Sequence, residues 1–532
     1  MKKYHQNNRR WYAGALVCVL LSTAFAVVLQ FVKGNVLDCA VAGRAREAAS
    51  YALLLIAFIL GEVLCYFAYD RLSARYAIGC ILELKRDVFE SILHRGYVAY
   101  KERTQGEYIA ALTEKADAIR QSRFQMLPMF WEITFKIALV SAALFRLDGR
   151  IAVVTLALLT TPLYVPKLIE KRLQNARTEY LRAAEEQLAK VNDWLAGFEI
   201  IKNYAIEKRI MEGFQAANDK TRNRLVRDRQ LGAVAQLLTT LMSYLSYFVV
   251  LVCAAWLVWR GDFSAGDFFV AIGMIDQLSY PLISLAGITR QLYAIRPACA
   301  EMEAFLEEAR TPSSEEACHG LQSGIRFCDV SFAYDPARPI LSHFSWTVEK
   351  GKRYLLKGPS GCGKTTAVNL LLRYCEVCGG SIELDGVPLE KAGDVYGLVT
   401  VVRQEAVLFH DTLRNNLTMY RDIPDERLMR ALRGVGLERL ANAGALDGVV
   451  TEGGANFSGG EKKRICIARA LLRDTDVLIL DEPLANLDAA TAERIEDLLL
   501  SIPQKTLLVV SHQFSEGKLN RFDQVVTLAA PA

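Results

Sequence analysis

Gly358-Pro359-Ser360-Gly361-Cys362-Gly363-Lys364-Thr365-Thr366, directly after the β-rich run Arg353 to Leu356, decides the architecture of the C-terminal part of this 532-residue chain. Glycines at this spacing let backbone N–H groups turn inward around a phosphate. The lysine reaches the outer phosphate oxygens, and the first threonine offers its hydroxyl to Mg²⁺ at a helix N-terminus. Every residue of the loop from Gly358 to Thr366, Pro359 excepted, is therefore a candidate for binding ATP. Cys362 reads as a small loop residue whose thiol, beside these amides, is open to oxidation. Further on, Val477-Leu478-Ile479-Leu480-Asp481-Glu482 is an apolar strand ending in two carboxylates. Asp481 is placed to hold the Mg²⁺ shell together with Thr365, and Glu482 to polarise an attacking water.

Upstream of this region the chain changes character. The whole is 52% hydrophobic and 23% charged with a mean hydropathy of +0.16, too apolar for an ordinary soluble protein of this size. That excludes a disordered chain. A net charge of +4 from 63 basic and 59 acidic residues gives no bulk electrostatic case for a nucleic-acid partner. The 12 cysteines are scattered, as reduced buried thiols are, rather than spaced as a secreted disulfide framework.

The apolar excess lies in runs at Trp11 to Val32, Tyr51 to Tyr69, Leu127 to Phe145, Ile151 to Ile169, Leu231 to Trp259 and Phe268 to Leu292. Their length predicts about six membrane spans rather than buried core helices. The first is too long for a signal peptide and lacks a small-residue cleavage site. Between them, Asp70 to Met126 and Glu170 to Gln230 are polar, nearly free of proline and glycine, and rich in helix formers. The spans should therefore continue as long helices into water. Basic residues crowd the second stretch (Lys171, Arg172, Arg177, Arg182, Lys202, Lys208, Arg222, Arg224, Arg227), which puts it and both termini in the cytoplasm of a cell in whose plasma or inner membrane the chain is multi-pass.

From Glu301 to Gly324 the sequence is polar, with Thr311-Pro312-Ser313-Ser314-Glu315-Glu316 reading as a linker. Short β-rich runs then alternate with helical stretches. The expected fold is an all-α six-helix transmembrane domain (1–300), a linker (301–324) and an α/β P-loop ATPase domain (325–532).

Between the phosphate loop and the acidic strand lies Phe457-Ser458-Gly459-Gly460-Glu461, followed by a basic helix from Lys462 to Arg473. Here the sequence resembles the ABC transporter family, whose signature is Leu-Ser-Gly-Gly-Gln. The resemblance covers the whole chain, which looks like a half-transporter of the type IV exporter fold. It implies that Tyr334 stacks on adenine, that Gln404 is the Q-loop residue serving metal and catalysis, that Asp488 belongs to the D-loop and that His512 is the switch histidine. Ser458, Gly459 and Gly460 would serve the ATP bound by a partner chain. Glu452, in Thr451-Glu452-Gly453-Gly454, resembles the loop that exporters place before the signature. The segments Thr104 to Ile109 with Asp117, and Gly197 to Lys202, resemble the two coupling regions. The implied activity is an ATPase whose dimer binds two MgATP and alternates access for a peptide, lipid or amphipathic small molecule. An importer of metal–siderophore-type substrates, or a nucleotide-gated channel or sensor, are the alternatives. Partners are a second half-transporter, membrane lipids and an unidentified transported substrate.

Two departures stand out. The signature carries Phe457 for leucine and Glu461 for glutamine, placing a carboxylate near a polyphosphate although in a helical first turn that favours it. The chain after His512 is short against the family's closing strands and helix. Together they tilt the expectation from a homodimer to a heterodimer. Within the spans, Glu132 and Lys136 lie four apart on one helical face, and Glu62, Asp276 and Gln277 are further polar groups at membrane depth. They either neutralise one another and fix packing or line a substrate cavity. Cys375 and Cys378 form a lone C-x-x-C with no second pair to make a zinc site.

Overall fold

Apolar runs longer than a bilayer is thick, continued by good helix formers, fold as helices that outlast the membrane. A computed structural model describes residues 1–161, 165–308, 320–335, 338–359, 361–392, 395–485 and 487–529. Its N-terminal helices are α1 (Arg9–Val41), α2 (Ala45–Leu93), α3 (Met126–Leu147), α4 (Gly149–Leu159), α5 (Val165–Ala196), α6 (Glu207–Arg260), α7 (Ala265–Ala294) and α8 (Arg296–Glu308). At 49 and 54 residues, α2 and α6 run unbroken from apolar span into polar extension, as the composition predicts.

Among the described residues five helical stretches are long and apolar enough to cross a membrane. The expected span Ile151 to Ile169 divides into α4 and the start of α5, and residues 162–164 between them lie outside the described ones. Where α1 meets α7, small residues let the backbones approach. A Cβ on Gly34 would stand 2.5 Å from Val270 Cγ2, and one on Gly273 would stand 2.3 Å from Gln30 Oε1. Asp38 of α1 accepts hydrogen bonds from Ser264 Oγ (2.8 Å) and the Gly266 amide (2.6 Å), capping α7 from outside its own chain segment.

The described residues form two compact units: Met1–Leu93 with Gln105–Glu308, and His94–Thr104 with the described part of Ala309–Ala532. The excursion His94–Thr104 departs from the simple division at residue 300. Its physical cause is aromatic. In the short helix Tyr97–Lys101, the Tyr97 ring stacks on Tyr374 at 3.7 Å and 20°, and the Arg403 guanidinium covers Tyr374 at 5.0 Å. Residues 301–308 continue α8, while Thr311 to Glu316 lie outside the described residues.

The described residues of the second unit form two sheets. Strands β1 (Gly324–Asp335), β2 (Arg338–Glu349), β4 (Gly379–Leu384) and β5 (Val387–Pro388) make an antiparallel sheet in the order β2-β1-β4-β5. Strands β3 (Arg353–Lys357), β6 (Val399–Val402), β7 (Val477–Asp481), β8 (Thr506–Val510) and β9 (Gln524–Thr527) make a parallel sheet in the order β6-β7-β8-β3-β9. Because side chains alternate along a strand, Leu478, Leu480, Leu507 and Val509 enter one hydrophobic core while Val477, Ile479, Leu508 and Val510 enter another. Both faces of the parallel sheet are thereby covered, which is why its central strands read as continuous apolar runs. The carboxyl ends of β3, β7 and β8 lie side by side, where α/β sheets bind ligands.

Candidate active site

The loop after β3 owes its path to glycine. Gly358, Gly361 and Gly363 have φ of 154°, 84° and 97°, all in the left-handed half of the map. A Cβ on Gly358 would lie 2.6 Å from both Cys362 Sγ and the Leu528 carbonyl. Lys364 opens α9 (Lys364–Leu371), and its ammonium turns back into the loop to donate to the carbonyls of Gly358 (2.8 Å) and Pro359 (2.9 Å). Cys362 and Thr366 are buried beneath it, and Ser360 lies outside the described residues.

Thr365 Oγ1, in the first turn of α9, donates to Asp481 Oδ2 at the end of β7 at 3.1 Å. Asp481 is 2% exposed, and burial pushes its carboxyl above the usual aspartate range, with the Thr365 hydroxyl and Arg403 pulling it back. A hydroxyl and a carboxylate so placed are hard oxygen donors of the kind Mg²⁺ takes, so the pair fits the ion that the phosphate loop implies. The next residue, Glu482, is buried with φ of 49°, a left-handed backbone that a non-glycine residue seldom adopts. Its amide donates to the Val510 carbonyl (2.8 Å), its Oε1 meets His512 Nδ1 at 2.8 Å, and its Oε2 accepts from Ser511 Oγ at 3.4 Å. The strained turn at the end of β7 and the end of β8 thus jointly fix the carboxylate.

The other predicted residues stand apart from this cluster, and among the described residues none of their side chains is hydrogen-bonded to it. Tyr334, at the end of β1, is 60% exposed, with its ring edge-on to Phe332 at 4.8 Å. Gln404 is exposed in the loop after β6. Asp488 N-caps α11 (Ala489–Ser501) by accepting from the Thr491 amide at 3.0 Å, which holds its carboxyl below the usual range. Ser458, Gly459 and Gly460 begin α10 (Gly459–Leu472).

That helix start contains a feature not anticipated from the family's pattern. Glu461 does not face outward as a free charge. Ser458 Oγ accepts from the Glu461 amide (3.2 Å), Glu461 Oε2 accepts from the Ser458 amide (3.0 Å), and Arg439 Nη2 donates to Glu461 Oε1 (2.6 Å). The spacing Ser458-x-x-Glu461 is the signature of a capping box and was open to reading from the sequence. The Ser458 amide and Arg439 hold the Glu461 carboxyl below the usual range.

Lys463 is the second residue missed. It is 3% exposed and donates to the carbonyls of Arg403 (2.7 Å), Gln404 (3.1 Å) and Asp481 (3.2 Å). One ammonium therefore ties the Gln404 loop and the end of β7 to the signature helix. Burial draws its pKa down, opposed by Asp481. No local pattern distinguishes it from Lys462 beside it, which donates to the Gly453 carbonyl at 2.8 Å.

A family model described as the ABC transporter transmembrane region matches residues 12–282, and one described as ABC transporter matches residues 341–485. An ATP-dependent lipid A-core flippase of Paraburkholderia xenovorans (strain LB400) is 26% identical over 490 residues, covering 90% of this chain and 81% of that protein. A fatty acid ABC transporter ATP-binding/permease protein of Mycobacterium bovis (strain ATCC BAA-935 / AF2122/97) is 27% identical over 471 residues, covering 87% and 74%. The solved structure of a bacterial Atm1-family ABC exporter with ATP bound superposes with a TM-score of 0.80 at 23% identity, covering 98% of this chain and 93% of the other.

Proposed function

Because the chain belongs to the ABC transporter family, we propose that it is one half of a dimeric exporter that moves an amphipathic substrate, a lipid foremost, across the plasma or inner membrane, with its ATPase unit in the cytoplasm. The chain is a multi-pass membrane protein and an ATPase coupled to translocation. The contact of Glu482 with His512 beside the Thr365–Asp481 pair is the observation that carries the reading.

The residues divide the work as follows. Backbone amides from Gly361 to Thr365 and the Lys364 ammonium bind the β- and γ-phosphates, and the exposed Tyr334 ring receives the adenine. Thr365 and Asp481, with Gln404, would hold Mg²⁺, which neutralises phosphate charge when bound. Glu482 accepts a proton from water, and His512 orients that carboxylate through its 2.8 Å contact. Ser458, Gly459 and Gly460 present helix-start amides to the nucleotide of the partner chain, with Asp488 in the loop alongside. Because Glu461 is turned into its own cap and onto Arg439, its charge is already compensated. That removes one reason for expecting a heterodimer, and a homodimer with two equal sites is compatible with the geometry.

Lipid substrates are favoured because the flippase and the fatty acid transporter are similar along most of the chain. Transport by inside-out vesicles tests the reading. MgATP-dependent accumulation of a lipid-like probe is the expected result, and MgATP-driven loss of preloaded substrate would reverse the direction. Mass measurement of the chain expressed alone distinguishes self-association from dependence on a second polypeptide.

A further inference from the structure

The helical unit contains a cavity of about 490 Å³ whose polar lining comes from three helices: Gln30 and Lys33 of α1, Lys136 of α3, and Asp276, Gln277 and Tyr280 of α7. Charges at this depth are costly unless paired or wetted. Of the two alternatives for Glu132 and Lys136, pairing or cavity lining, the i,i+4 spacing does not close into an ion pair and Lys136 lines the cavity. Among the described residues no ion pair within 4.0 Å joins them, although the Lys136 charge still acts on Glu132. On the same criterion Lys33, Lys136 and Asp276 each lack a charged partner among the described residues.

The amides carry a second imbalance. Gln277 Nε2 donates to the Ala26 carbonyl at 3.2 Å, while its Oε1 is buried without a partner. Pro281, one helical turn on, has no N–H to give the Gln277 carbonyl. The cavity lining thus carries two cations, Lys33 and Lys136, and one carboxylate, Asp276. Its place in the membrane is also informative. Lys33 lies about 33 Å along α1 from Trp11, where the span begins on the cytoplasmic side. A lysine at the far end runs against the usual enrichment of positive charge in cytoplasmic segments, so topology does not explain it.

We propose that this cavity binds the polar head of an amphiphile bearing an anionic group, phosphate or carboxylate. Lys33 and Lys136 take the anion. The neighbouring Phe269 and Tyr280 are largely exposed on the helix surface, where the acyl part would lie against them and the lipid. This deepens the exporter reading and rests on it for the word substrate, whereas binding itself does not need turnover.

The test uses the full-length protein in uncharged phosphatidylcholine vesicles, with dodecyl phosphate, dodecanoate, dodecyl maltoside and dodecyltrimethylammonium as probes. Equilibrium binding is measured alongside MgATP turnover. At least one anionic probe should bind saturably and more tightly than the neutral and cationic ones, and the better of the two identifies phosphate or carboxylate as the anion. Lys33→Gln and Lys136→Gln should each weaken that binding about tenfold, as expected for losing a charge-assisted hydrogen bond. Lys136→Arg should restore it to within about threefold, and Lys136→Glu should move the preference toward dodecyltrimethylammonium. Anion binding unchanged in the Lys33→Gln/Lys136→Gln double variant, or cationic and anionic probes binding alike to the native chain, would overturn the proposal. Anion binding without any MgATP-driven movement of probe would support the site and count against the exporter reading.

Discussion

His512 Nδ1 lies 2.8 Å from Glu482 Oε1, joining the residue after β8 to the residue after β7. Glu482 is held by this contact, by its amide on Val510 and by a left-handed backbone, so its carboxylate is positioned by groups of this chain alone. His512→Ala removes the orienting group and leaves the acid in place. Turnover should fall at least tenfold while MgATP affinity changes by less than about threefold, as read from steady-state hydrolysis and nucleotide titration.

Lys463 holds three carbonyls from one loop and one strand end. Lys463→Met strips the donors and keeps the bulk, so it should lower stability by about 2 kcal/mol and depress turnover further than the loss of folded protein explains. Lys463→Gln, with a shorter reach and only two donors, should recover part of both. Thermal unfolding in detergent with parallel ATPase assays measures the two effects separately.

Glu461→Ala should cost about 1 kcal/mol through loss of the capping box, whereas Glu461→Gln keeps the box and should stay close to the native value. The pH dependence has a defined sign. The Glu461 carboxyl titrates below its ordinary value in the folded protein. Its stabilisation is therefore fully present above the ordinary glutamate range and is lost as pH falls through the lower, folded value. Acid titration of thermal stability should show a smaller loss in Glu461→Gln than in the native chain.

Tyr97 stacks on Tyr374 across nearly three hundred residues of sequence. Tyr97→Ala removes a contact of about 1 kcal/mol in a segment that leaves the long helices to join the ATPase unit. Hydrolysis should persist while substrate moved per ATP falls, measured as flux and phosphate release in the same vesicles. Equal losses in both would assign the pair to stability alone.

What could be read from the sequence divides along a physical line. The phosphate loop, the Asp481–Glu482 strand end and the long helices depend on local pattern: glycines at φ positive positions, an apolar run ending in acids, uninterrupted helix formers. These were legible. The Tyr97–Tyr374 stack and the triple contact of Lys463 depend on chain segments meeting in space, and a tyrosine or lysine of this kind looks locally like any other. The Ser458–Glu461 box was local and legible, but comparison with the family's glutamine made Glu461 look like a lost residue rather than a cap. Glu132 and Lys136 show the converse failure: helical spacing permits a pair, yet no ion pair closes between them and Lys136 lines the cavity.

The most direct test of the account is Glu482→Gln in the full-length protein, reconstituted in vesicles, with MgATP turnover and probe movement followed together. The substitution keeps the size of the side chain and removes the base. Nucleotide binding should be retained, turnover should drop about a hundredfold or more, and probe movement should cease with it. Turnover above a tenth of the native rate, or probe movement that continues unchanged, would contradict the assignment of Glu482 and the coupling of its chemistry to transport.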